Sequence, residues 1–426
     1  MAGHRRAFRG YPVGVTPLPP VALYLHLPFC VARCPYCDFV VYAGRDARGP
    51  RASTERLYEA VGRELELRAD ALDRRFGPPG ESRLRGPLRS VYFGGGTPSL
   101  VPGEWLERLL ATVRARFGIA PDAEITLEAN PGPDERGDVA AFRRAGVTRI
   151  SFGAQSLDAA ELRHLGRRHS PVDVVAAVDV ARAAGIGSIN LDLLYDVPDQ
   201  SVTAWEATLR GALAVEPDHL SLYALTLDDP DAEGLIGEVG DHLPTTPGAR
   251  RWREKARRGQ DDDRAADQYG LATELLASIG WHGYEISNWA RPGHESRHNL
   301  AYWERRPYEA VGPGAHAFDG VTRRWNAAAM EPYVGALVPA GGPAAAPPGG
   351  SETLTDEGAA AEKIILALRL DSGVPAAWAE ERPLADVRDW AESSGLLEGF
   401  DLAGEPRLRL TLRGRLLSNE LFSRLV

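Results

Sequence analysis

Residues 24–39 read YLHLPFCVARCPYCDF. The first part continues a short apolar run from Val21 to Leu27, the composition of a buried strand. The remainder forms a loop in which Cys30, Cys34 and Cys37 stand in CxxxCxxC spacing. They are the only 3 cysteines in 426 residues. An odd, clustered set cannot make a disulfide framework and points to a reducing compartment and a metal site. So short a loop aims three thiolates at one centre, and soft thiolates select iron–sulfur clusters, zinc or Cu(I).

Structural zinc and ordinary iron–sulfur clusters normally take four protein ligands. With no fourth cysteine, either a histidine such as His26 completes a zinc site or one iron of a [4Fe–4S] cluster stays open. An open iron is what S-adenosylmethionine (SAM) needs. Its amino and carboxylate groups chelate that iron before one-electron reduction cleaves the sulfonium. The spacing favours this second reading.

Outward from the cysteines, short β-rich runs alternate with helical patterns. The strand candidates are 21–27, 88–93, 124–128, 149–153, 188–195 and 219–225. Helices are expected at 53–76, 102–117, 134–145, 172–184 and 201–215. Such alternation implies parallel strands with right-handed helical crossovers. Six units predict an α/β fold, a partial (β/α)6 TIM-like barrel, over residues 21–240 after an N-terminal tail, 1–20. Residues 241–267 are polar and rich in Arg and Asp, and read as an inserted surface loop. A helix at 266–279 and a strand at 284–287 come next, within a segment completing the barrel at 268–338. The Ala/Gly/Pro tract AGGPAAAPPGG marks a linker, 339–352. Residues 353–426 carry helices at 356–370 and 384–393, an alternating run at 407–412 and a final helix. That is the pattern of a small winged-helix-like α+β domain.

Barrel enzymes build their sites at the C-terminal ends of their strands. There the chain places GGGTP (Gly94–Pro98), whose missing side chains let backbone approach a ligand. Other strand ends carry Glu128, Gln155, Asp192 and Tyr223. Each alone is an ordinary cap or solvated residue; several on one barrel suggest a shared pocket. Glu128 and Asp192 suit ribose hydroxyls, Gln155 an adenosine or carboxylate edge, and Arg167 a carboxylate.

The hydrophobic fraction of 44% and charged fraction of 25% are those of a globular chain. The net charge of -10 argues against nucleic acid as the main partner. No apolar run approaches the ~18 residues of a membrane span, and Pro12, Pro17, Pro19 and Pro20 interrupt any signal-like start. A cytoplasmic protein is expected, with peripheral membrane contact left open.

The segments YLHLPFCVARCPYCDF, YFGGGTPSL, TLEANP, RISFGAQS, LGRRH, NLDLLYDVPDQ, HLSLYALT, GYEISNWARPGHESRHNLAYW and VGPGAHAF run in order from Tyr24 to Phe318. Together they resemble the oxygen-independent coproporphyrinogen oxidase-like branch of radical SAM proteins, and within it the HemW-type heme chaperones. The resemblance implies that the three cysteines hold a [4Fe–4S] cluster. It assigns SAM contacts to Tyr24, Tyr36, Gly95, Gly96, Thr97, Glu128, Gln155, Arg167 and Asp192. It implies a barrel whose open side admits a tetrapyrrole, and heme handling by HNLAYW, with His298 as an axial ligand. A reductant for the cluster and recipient haemoproteins are the implied partners.

The oxidases resemble CxxxCxxCxC, whereas Phe39 stands at the last cysteine position here, and only 29 residues precede Cys30. Both departures favour a chaperone over the alternative, an oxidase that decarboxylates coproporphyrinogen propionates. Asp196 replaces the glycine usual in the family's YGxP turn, and Asp199 replaces another common turn glycine. Aspartate tolerates such backbone, so only a local change is expected.

Overall fold

A computed structural model of the chain describes residues 16–44, 54–81, 84–227, 236 and 239–426. Most of the expected N-terminal tail therefore lies outside the described residues, as does Ser53 at the expected start of the first helix. The six anticipated strands form, in order, as β1 (Ala22–Leu27), β2 (Leu88–Gly95), β3 (Ile119–Ala129), β4 (Arg149–Gln155), β5 (Ser188–Tyr195) and β6 (His219–Ala224). All pair in parallel with their sequence neighbours. A seventh parallel strand, β7 (Tyr308–Val311), returns to the other side of β1. The sequence did not reveal it, because YEAV is four residues long with a charge inside.

The strands are almost continuously apolar because helices cover the outer face. Leu23, Leu25, Val91, Phe93, Leu127, Phe152 and Leu191 are fully buried in one core. Antiparallel strands extend both ends: His316–Phe318, Thr322–Asn326 and Gly349–Thr353 beyond β7, and Asn288–Ala290 and His282–Gly283 beyond β6. Among the described residues the two end strands do not pair, so this partial TIM-like barrel stays open.

Four local expectations need correcting. The third helix begins at Val139, not 134, because Gly137 sits at φ 67° and Asp138 caps Ala141 N. Residues 241–267 are no mere surface loop, since they contain the helix Pro247–Ala256, and the next helix, Asp262–Ser278, starts early. Residues 284–287 form no continuous strand: Glu285 makes an isolated antiparallel bridge to Leu370, and its buried side chain accepts a hydrogen bond from Ser287 N. The linker's last glycines belong to a strand: a Cβ on Gly349 would lie 1.9 Å from Trp325 O.

The C-terminal α+β domain has its own core, including Leu368, Val374, Leu384, Leu408 and Leu421. Its helices Asp356–Leu368 and Leu384–Ser393 pack on a three-stranded sheet. One of those strands, Leu397–Leu402, escaped the sequence reading because it is largely exposed and lacks alternation. The expected final helix is two short ones, Leu412–Leu416 and Ser418–Phe422.

Candidate functional site

The loop after β1 is closed at its base by pairing of Phe29–Cys30 with Tyr42–Ala43. Between these strands the three cysteines face one cavity of about 370 Å³. Thr97 Oγ1 donates to Cys30 Sγ at 3.4 Å and Arg167 Nη1 to Cys34 Sγ at 3.5 Å. From behind, Arg253 donates to the carbonyls of Pro35 and Cys37, both at 3.2 Å, and to Asp38. Burial pushes the Cys30 thiol up to about 11 and Cys37 up to about 12. A bound metal centre reverses that by stabilising the thiolates.

The GGGTP turn does different work from that expected. Gly95 N donates to Glu128 Oε2 at 3.0 Å, Gly96 N to Leu27 O at 2.9 Å and Thr97 N to Phe29 O at 2.8 Å. Its amides thus tie the cysteine loop to β2 and β3. Space is the reason for glycine: a Cβ on Gly95 would meet the His26 ring at 2.5 Å, and one on Gly96 the Phe29 carbonyl at 2.6 Å.

Glu128, Gln155, Arg167, Asp192, Tyr36 and Tyr223 all line the same cavity, as do Gly95, Gly96 and Thr97. Tyr92 donates to Glu128 at 2.8 Å. Burial, reinforced by Asp192, raises the Glu128 carboxyl to about 7. Burial also raises Asp192, although Ser151 and Asn190 donate to it at 3.1 and 2.7 Å. Gln155 has φ 66° at an irregularity of β4, a left-handed conformation rare outside glycine. Arg167 is committed to Cys34, Asn130 and Gly153 O, so it braces the loop. Asp196 and Asp199 have φ of 52° and 62°, the left-handed backbone that glycine would take, and Asp196 accepts from Arg264 at 2.7 Å.

Arg149 escaped sequence reasoning. It is 3% exposed, lines the cavity, and its Nε has no hydrogen-bond partner among the described residues. The only sequence signal was a charge opening an apolar strand.

Two expected contacts lie elsewhere. Tyr24 lines a second cavity, where its hydroxyl bonds His26 Nδ1 at 3.0 Å. The other His26 nitrogen bonds Val40 O at 2.8 Å, so His26 has no nitrogen left to complete a zinc site. His298 is 1% exposed; Nδ1 bonds Ser90 Oγ at 2.9 Å and Nε2 bonds Tyr302 at 2.8 Å. Burial lowers its pKa to about 3. As folded here, it offers iron neither nitrogen.

The cavity fits the cofactors of a radical SAM protein. Three thiols without a fourth suit a cluster with an open iron. Buried Glu128 and Asp192, whose carboxyls stay raised even with Arg149 nearby, suit the further positive charge that SAM carries as a sulfonium, and Arg149 Nε has no partner among the described residues.

Residues 24–210 match the family model described as the Radical SAM superfamily. Over 419 residues the chain is 40% identical to the heme chaperone HemW of Mycobacterium tuberculosis, covering 97% of each. It is 38% identical to HemW of Escherichia coli, covering 70% of each. The solved coproporphyrinogen III oxidase (HemN) of Escherichia coli shares the fold, with a TM-score of 0.74 at 22% identity, over 96% of this chain and 91% of that one. The barrel and its cysteine cavity are thus those of a radical SAM protein. Within that class the chain belongs to the HemW family. A [4Fe–4S] cluster and SAM are the cofactors this membership implies. Among the described residues, no helix is long and apolar enough to cross a membrane.

Proposed function

We propose that the chain is a heme chaperone, which binds heme and passes it to haemoproteins such as respiratory enzymes. The observation that carries this reading is Phe39, 67% exposed on the wall of the cysteine cavity, where the oxidases resemble a further cysteine. Full-length similarity to the chaperones supports it; likeness to the oxidase extends only to the fold.

When bound, the cluster and SAM supply one-electron chemistry. Cys30, Cys34 and Cys37 hold the cluster while Thr97, Arg167 and Arg253 hold their loop. Glu128 and Asp192 set a negative floor for a sulfonium and for ribose hydroxyls, and Arg149 balances that floor. The protein works in the cytoplasm, with a reductant for the cluster.

Anaerobically reconstituted protein titrated with hemin should show a Soret change saturating at about one equivalent, as a single site requires. With SAM, reductant and coproporphyrinogen III it should form no protoporphyrinogen. Absence of the Soret change overturns the proposal, and turnover with release of 5′-deoxyadenosine would assign the oxidase reaction instead.

A further inference from the structure

Beside the cysteine cavity lies a second one of about 430 Å³, lined by Tyr24, Tyr302, Trp303 and Tyr308 among others, and the two share Asp38 and Phe39. On its lining, Asp241 holds two imidazoles. Its Oδ1 bonds His242 Nδ1 at 3.0 Å and its Oδ2 bonds His316 Nε2 at 2.8 Å. An imidazole fixed at one nitrogen by a carboxylate presents the other as an oriented lone pair, the arrangement of metal-binding histidines. Among the described residues no hydrogen bond reaches His242 Nε2 or His316 Nδ1. His26 and His298, by contrast, use both nitrogens.

The rest of the lining suits a flat, apolar ring with acidic edges. His316 is stacked on Trp325 at 6.0 Å, and Tyr302 meets Tyr308 edge-on at 4.6 Å. Arg305 spends Nε on Glu362 at 3.0 Å, yet its buried Nη2 has no partner among the described residues, and neither has Trp303 Nε1. A carboxylate at the ring's edge would satisfy such a donor.

We propose that heme binds in this second cavity, with its axial ligand supplied by the pair His242 and His316 under the control of Asp241, and a propionate held by Arg305. The inference rests on the heme chaperone reading and assigns its site. It places the tetrapyrrole next to the cluster cavity, with Phe39 between them.

The test uses the full, cluster-loaded chain, with cluster absorbance as the folding control. Both histidine side chains are partly exposed, 29% and 42%, so their replacement leaves the core intact. The double variant His242→Ala/His316→Ala should lose the histidine-ligated Soret and visible spectrum and bind hemin about tenfold or more weakly, the size of effect seen when metal-site partners are removed. Asp241→Asn, a change at a positioning residue, should weaken binding while keeping a histidine-type spectrum. His298→Ala should leave that spectrum unchanged. Arg305→Gln should abolish any preference for hemin over its dimethyl ester. If wild type binds hemin and the double variant matches it in spectrum and affinity, this site is wrong while the chaperone reading stands. If wild type binds none, both fall.

Discussion

Glu128 shows how one side chain ties the cavity to pH. The folded carboxyl holds its proton to about 7, because of burial and then Asp192, whereas an unfolded glutamate releases it near 4.5. Between these values the native state binds more protons than the unfolded state, so this group lowers stability as pH rises. Glu128→Gln removes that dependence. In SAM-free protein the variant's Tm should gain on wild type between about pH 5 and pH 8, by on the order of 2–3 kcal/mol of stability. A difference that stays flat over this range would contradict a carboxyl kept protonated by its burial. Glu128 and Asp192 were legible in the sequence because a carboxylate ending an apolar strand is conspicuous. The state of His298 was not, since its partner Ser90 lies 208 residues away.

Helix Pro247–Ala256 illustrates the same limit for a whole element. Its buried face consists of Ala249, Arg253 and Ala256, so its composition reads as a polar loop. Tertiary contact turns the arginine inward, where its fork reaches two carbonyls of the cysteine loop and Asp38. Removing Arg253 strands those carbonyls. Arg253→Ala should cost about 1–3 kcal/mol, as charge-assisted hydrogen bonds do, and should speed bleaching of the cluster in air. Lysine should not restore the wild-type rate, since it lacks the planar fork. Bleaching at the wild-type rate in the alanine variant would show that the helix does not hold the loop. The barrel strands were readable for the opposite reason: buried on both faces, they announce themselves as apolar runs.

Across the molecule, Glu362 joins the C-terminal domain to the barrel. It accepts from Arg305 Nε at 3.0 Å and pairs with Arg323 Nη2 at 2.6 Å, and its side chain is only 14% exposed. Glu362→Ala leaves two cations facing each other and should cost about 2–4 kcal/mol, the loss expected when one partner of a mostly buried pair is removed. Calorimetry should then resolve the domain's melting from the barrel's. One unshifted transition would mean that the apolar contacts alone couple them.

From the chain alone came the order of the barrel strands, a partial barrel followed by a C-terminal domain, the family resemblance, and the expectation that the three cysteines hold the cluster. Each of these follows from local properties: ligand count and spacing, apolar periodicity, breaker residues. Only folding decided which histidines keep a nitrogen free and that Arg149 Nε has no partner, both among the described residues, and that two cavities share Asp38 and Phe39. Those facts depend on partners brought together from distant strands and helices, as when Arg253 reaches Pro35 across 218 positions. Local composition carries no record of such meetings.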